Sequence, residues 1–351
     1  MSPLPKPSAV LSRPDLKARL VLVSAAVLLL NAGGWLGAVL SFGGDPALFG
    51  MALLVYGLGM RHGLDADHIA AIDNVTRKLM QEGERPVAVG FFFALGHSAL
   101  VVLVAAAVGA TAGSLELFRS VQEVGGYLGT GVSALFLLTM ALLNILVFRS
   151  VYRAYRALRA DGSSNQAELD RMMGGQGLLA KLLRPLFGLI SRSWHMAPLG
   201  VLFGLGFDTA TEIAMFGLSA AQAVNGLPFA TILVFPLLFA AGMLLVDTAD
   251  GLLMLGAYRW ATARPTRRLR YNMGITLLSA LLAGFIGGTE LLGLIGAHFG
   301  LDGGVWSLLG LLKDESDSLG LLIVVLFAIA WAIAHGLHRS RAASAVLKGD
   351  A

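Results

Sequence analysis

No cysteine occurs anywhere in the sequence. Disulfides, thiolate metal sites and thiol chemistry are therefore excluded. Charge is also scarce: only 14% of the 351 residues are Asp, Glu, Lys or Arg, against about 25% in a soluble domain. No Gly-x4-Gly-Lys-Ser/Thr loop is present, which rules out ATP hydrolysis by that route. Histidine is limited to seven residues with no His-rich tract. Intramembrane di-iron oxidases need several histidine boxes, so an enzyme of that kind is disfavoured and the chain reads as a non-enzyme. What the sequence has in quantity is apolar residues, 56% of the total, and 44 glycines, as expected where helices pack closely in lipid.

The apolar residues fall in runs of about twenty or more, enough to cross roughly 30 Å of hydrocarbon. The fold class is all-α, a polytopic membrane protein forming one transmembrane domain over 1–351. Eight spans are expected, at 20–41, 47–73, 87–110, 125–148, 197–221, 229–257, 273–297 and 319–338. The N-tail, the C-tail and the loops 74–86, 149–196 and 258–272 hold 23 of the 26 Lys and Arg, and the alternate segments hold only Arg119 and Lys313. The positive-inside rule then places both termini in the cytoplasm. Within the long cytoplasmic loop 149–196, residues 178–194 mix Leu, Phe and Ile with Lys181, Arg184 and Arg192, a pattern that suits a helix lying on an anionic leaflet.

An internal repeat is expected. Gly57-Leu58-Gly59-Met60 resembles Gly204-Leu205-Gly206-Phe207, and Phe93-Ala94-Leu95-Gly96-His97 resembles Phe239-Ala240-Ala241-Gly242-Met243. The offset is three spans, an odd number, so the paired helices run in opposite directions, as in inverted-topology transporters.

The second span carries the chemistry. Arg61-His62-Gly63-Leu64-Asp65-Ala66-Asp67-His68-Ile69-Ala70-Ala71-Ile72-Asp73-Asn74 sets two imidazoles and three carboxylates within twelve residues. On a regular helix His62, Asp65, His68 and Asp73 share one wide face, while Asp67 falls about 140° from His62. Either Asp67 binds a helix neighbour such as Arg61, or the helix is broken; Gly57, Gly59 and Gly63 favour a break. Span three adds His97. Span five adds Asp208 and Glu212 at i, i+4, span six adds Asp247 and Asp250 at i, i+3, and Glu290 in span seven is the weakest member.

Leaving Glu290 aside, seven acids face one buried base, Arg61, in these spans. Hydrocarbon penalises each ionised group by roughly 2.5–3.5 kcal/mol on insertion scales. The acids must converge on a polar interior that holds a cation. Imidazole with carboxylate and no sulfur suits Ni²⁺, Co²⁺ or Zn²⁺, whereas Mg²⁺ and Ca²⁺ prefer oxygen alone. The candidate ligands are His62, Asp65, Asp67, His68 and His97, with Arg61, Asp73, Asn74, Asp208, Glu212, Asp247 and Asp250 in support. Imidazole binds metal only when neutral, so transport is expected to fail at low pH.

The stretch from Arg61 to Asn74 resembles the signature of the nickel/cobalt transporter (NiCoT) family, whose core is His-x4-Asp-His, here His62, Asp67 and His68. Gly96-His97-Ser98, Leu205-Gly206-Phe207-Asp208-Thr209-Ala210-Thr211-Glu212 and Gly242-Met243-Leu244-Leu245-Val246-Asp247-Thr248-Ala249-Asp250 resemble its other motifs. One departure is Ala99, where the family often carries a second Ser. The chain is most similar to the hydrogenase-linked high-affinity nickel permeases. That resemblance implies a bacterial inner-membrane importer of Ni²⁺, with Co²⁺ also open, eight helices and both termini inside. It implies metal as substrate and no cofactor, nucleic acid or obligate protein partner. An exporter of similar architecture is the alternative.

Overall fold

A computed structural model describes residues 13–110, 115–161, 190–206, 209–262, 265–314, 318–323 and 325. The described residues contain helices and no strand. Five helices are long and apolar enough to cross a membrane, or six when one bent pair is counted as a span. They coincide with expected spans one, three, four, six and seven, and the bent pair with span two. Of expected span eight only 318–323 and 325 are described, and residues 178–189 of the expected surface helix lie outside the described residues. The remainder of that segment is not α-helical: Arg192 is extended (φ −145, ψ 154) and leads into a 3-10 turn at Ser193–His195.

The first helix is α1 (Arg13–Phe42). Asp45 then caps α2 (Pro46–His62), accepting from the backbone N–H of Ala47 at 2.9 Å and Leu48 at 3.1 Å. Proline at the first helical position costs nothing there, because its missing N–H would be unpaired anyway. Span two does not run on to residue 73 as one helix. It stops at His62, turns through Gly63-Leu64-Asp65 and restarts as α3 (Ala66–Gln81), bent by 51°. Asp65, extended at φ −61 and ψ 141, caps the new helix by accepting from Ala66 N–H at 2.8 Å. Asp67 in the first turn of α3 adds favourable charge at a helix N-terminus.

Then come α4 (Val89–Ala110) and α5 (Leu115–Asp161). Span five is likewise divided, into α6 (Met196–Gly204) and α7 (Ala210–Val224). One helical turn at Phe229–Ile232 precedes α8 (Val234–Thr262), which is followed by α9 (Pro265–Phe299). A short α10 (Val305–Asp314), absent from the expected spans, packs against α9.

The centre of the bundle is α8, which packs against α1, α2, α3 and α4, while α5 pairs with α9. Lipid tails are as apolar as leucine, so helices in hydrocarbon associate through close packing rather than water expulsion. Glycine supplies that closeness. A Cβ at Gly59 would lie 2.0 Å from Phe239 O, and one at Gly242 would lie 2.5 Å from Tyr56 O, which locks α2 to α8. A Cβ at Gly200 would lie 2.1 Å from Phe93 O, and one at Gly96 would lie 2.0 Å from Ala197 O, which locks α4 to α6. The two pairs meet where Gly90 of α4 abuts the Asp247 carbonyl of α8, 1.9 Å from a Cβ built there.

The continuation of α3 changes the charge balance read from the sequence. Arg77 and Lys78, assigned to a loop, lie on this helix and are 3% and 5% exposed. Arg77 Nη1 donates to Thr276 Oγ1 at 2.8 Å, and Lys78 Nζ pairs with Glu82 at 3.1 Å and donates to the Ile190 carbonyl. Arg61, expected to be the one buried base, is exposed instead.

Candidate metal centre

The bend in span two aims His62, at the end of α2, and His68, in the first turn of α3, at His97 of α4. The three rings lie with centroids 4.7, 4.8 and 5.0 Å apart. Each offers a nitrogen within 4.8 Å of the other two, and none is more than 2% exposed. Glu212, in the first turn of α7, completes the cluster. Its Oε1 is 3.0 Å from His97 Nε2 and 3.6 Å from His62 Nε2, and those two nitrogens are 3.1 Å apart. Ligand atoms about 2.1 Å from a metal are about 3.0 Å apart at a right angle and about 3.4 Å apart at the tetrahedral angle. His62, His97 and Glu212 therefore already stand at the spacing of adjacent ligands around one cation.

Further contacts orient these groups. Asp247 of α8 is fully buried, with its carboxylate oxygens 3.3 and 3.4 Å from His68 Nδ1. An Nδ1–H donated there leaves Nε2 with its lone pair free for metal. The Thr211 hydroxyl is 3.3 Å from His62 Nδ1, and Thr209 Oγ1 donates to Glu212 Oε2 at 3.0 Å. A cavity of about 190 Å³ adjoins the cluster and is lined by the three histidines, Glu212, Asp65 and Asp67. The break resolves the difficulty with Asp67: a straight helix would point it away, but the restarted helix brings it half-buried to the same cavity as the imidazoles.

The other expected members lie elsewhere. Asp73 accepts from Ser279 Oγ of α9 at 2.7 Å, and Asn74 accepts from the Asn144 amide of α5 while donating to Ala70 O at 2.7 Å. These two tie α3 to its neighbours one to two turns beyond His68. Asp250, one turn past Asp247, is buried and neither carboxylate oxygen has a hydrogen-bond partner. Asp208 falls outside the described residues. Arg61 is exposed, whereas its neighbour His62 is buried in the cluster. Glu212 was ranked below Asp65 and Asp67 on sequence, yet it makes the direct contacts. A signal was present: Thr209-Ala210-Thr211-Glu212 has the Ser/Thr-x-x-Glu spacing of a helix start, which marks a break in span five.

Comparison with known proteins agrees with this chemistry. Residues 48–336 match the family described as NicO, High-affinity nickel-transport protein. The chain belongs to that family. Its relatives include the High-affinity nickel transport protein of Cupriavidus necator, 48% identical over 326 residues, covering 93% of each chain. The Hydrogenase nickel incorporation protein HupN of Bradyrhizobium diazoefficiens is 48% identical over 309 residues, covering 88% of this chain and 81% of HupN. The Cobalt transport protein NhlF of Rhodococcus rhodochrous is 40% identical over 323 residues, covering 90% and 91% respectively. No solved structure matches this chain. The High-affinity nickel-transport family is one of transport proteins and not of enzymes.

Proposed function

We propose that this member of the family is a secondary transporter that imports Ni²⁺, and also Co²⁺, across the bacterial inner membrane. His62, His68, His97 and Glu212 take the ion as cargo, with Asp65 and Asp67 on the approach. The observation that carries this reading is the convergence of three buried imidazoles and one carboxylate, from four helices, beside a cavity. An inward-negative potential favours entry of a divalent cation by about 4.6 kcal/mol at 100 mV, twice the single-charge value. The alternate distribution of Lys and Arg supports eight spans with both termini in the cytoplasm.

An inverted repeat is supported by the glycine crossings. Gly59 and Tyr56 of α2 meet Phe239 and Gly242 of α8, as Gly200 and Ala197 of α6 meet Phe93 and Gly96 of α4. Spans two and five exchange roles, as do spans three and six, and both divided spans feed the metal centre. Binding at broken helices between repeats is a recurrent design of secondary transporters.

The test is ⁶³Ni accumulation in cells that lack their own nickel permease. Cells expressing the wild type accumulate label, and His62→Ala or His68→Ala abolishes accumulation with unchanged protein in the membrane. Depletion of label by the wild type would instead establish export, and near-normal uptake by the variants would refute the ligand assignment.

A further inference from the structure

The cavity beside the imidazoles has a far end that the metal centre does not use. There Glu290 of α9 lines it, with Thr289 beside it and Thr130 and Ser133 of α5 opposite. Ser133 Oγ donates to Glu290 Oε1 at 3.0 Å, and Glu290 itself is half-buried. At the inner end stands His97, 2% exposed, with its Nδ1 lacking any hydrogen-bond partner. The inner end thus carries the imidazoles together with Glu212, and the outer end carries oxygen donors alone.

The direction of this axis follows from the hydrogen bonds between α3 and α9. Arg77 meets Thr276, and Asp73 meets Ser279, so the two helices run antiparallel. At 1.5 Å per residue, His68 lies about 7.5 Å from the Asp73 level and Glu290 about 16 Å from it, in the same direction. Glu290 is therefore roughly 9 Å beyond the imidazoles, on the side away from buried Arg77 and Lys78. With the basic end of α3 facing the cytoplasm, that side is the outer one.

We propose that Glu290 is the receiving carboxylate on the cation's path to the imidazoles: it takes a hydrated divalent ion at the outer end of the cavity and passes it inward. This inference rests on the reading of the histidine cluster as the transport site. An arriving Ni²⁺ or Co²⁺ is clothed in water oxygens. Exchange of one or two of these for the oxygens of the Glu290 carboxylate keeps an all-oxygen shell, and imidazole nitrogen replaces oxygen only further in. A single negative charge between low-dielectric walls, here Phe285 and Leu319, also concentrates cations at the mouth.

The competing role for Glu290 is a tie between α5 and α9 through Ser133, and two substitutions separate the roles. Glu290→Gln keeps an oxygen to accept from Ser133 and removes the charge; Ser133→Ala keeps the charge and removes the bond. The experiment is ⁶³Ni uptake against concentration, normalised to immunoblotted membrane protein. Glu290→Gln raises the half-saturating concentration about three- to tenfold with the maximal rate retained, whereas Ser133→Ala and Glu290→Asp stay within about twofold of wild type. A Glu290→Gln curve superimposed on wild type would overturn the proposal. So would an equal shift in Ser133→Ala, or a loss of maximal rate alone. If Glu290→Gln does not accumulate in the membrane, Glu290→Asp decides: a retained charge with a shifted curve also refutes the role. A His68→Ala control that transports like wild type would mean the transport site itself is misassigned, independently of Glu290.

Discussion

Asparagine at position 247 isolates a single physical effect at the candidate metal centre. Asp247 is 0% exposed and faces the Nδ1 of His68, itself 1% exposed, across 3.3 Å. Asparagine has nearly the same shape, and its carbonyl oxygen can still accept the Nδ1–H. What is lost is the negative charge that makes the opposite ring nitrogen a stronger donor to metal. Removing such a partner behind a metal-binding histidine typically weakens affinity 10- to 100-fold, or about 1.4–2.7 kcal/mol. Asp247→Asn is therefore expected to raise the Ni²⁺ dissociation constant of the purified protein by one to two orders of magnitude. His68→Ala removes the ligand outright and should cost more. Titration calorimetry in detergent gives the constant, and ⁶³Ni uptake shows the same displacement in cells. A dissociation constant within about twofold of wild type would refute the idea that Asp247 tunes His68, and would leave it as a packing residue.

Two further outcomes are expected. Gly200→Ala sets a methyl 2.1 Å from the Phe93 carbonyl, so α4 and α6 must separate. The detergent-solubilised protein should lose about 1–3 kcal/mol of stability, read as a lower melting temperature. Gly50→Ala, which meets nothing within 4 Å, is the matched control, and equal behaviour of the two would contradict the packing argument. Protons compete with metal for the imidazole nitrogens, so lowering pH from about 7.5 to about 5.5 should weaken Ni²⁺ binding. An affinity flat across that range would argue against histidine ligands.

Much of the site was legible because hydrocarbon leaves so few reasons for a polar side chain. His62, His68 and His97 stood out for that reason alone, and their distance in sequence did not hide their common chemistry. The place of Glu212 beside the imidazoles depends on where α7 starts, and a straight span five gives a different answer. The same limit applies to Asp67, which a continuous helix aims away and a restarted helix brings in. Arg77 and Lys78 were misread because hydropathy ends a span at the first run of charge, whereas Thr276 and the Ile190 carbonyl let α3 continue. Helix α10 was missed because its ten residues fall short of a crossing. The apolar stretches of the long helices needed no tertiary information and agree closely with their expected ranges, although α5 (Leu115–Asp161) continues well past both ends of its span.

The crossing of Gly90 with the Asp247 carbonyl has a mechanical corollary. The α2–α8 and α4–α6 pairs are held backbone to backbone at that point, with His62 on one pair and His97 on the other. The 3.1 Å between their ring nitrogens is therefore set by how closely a residue without a side chain lets two backbones approach. A methyl group at Gly90 would push α4 off α8 and widen that gap.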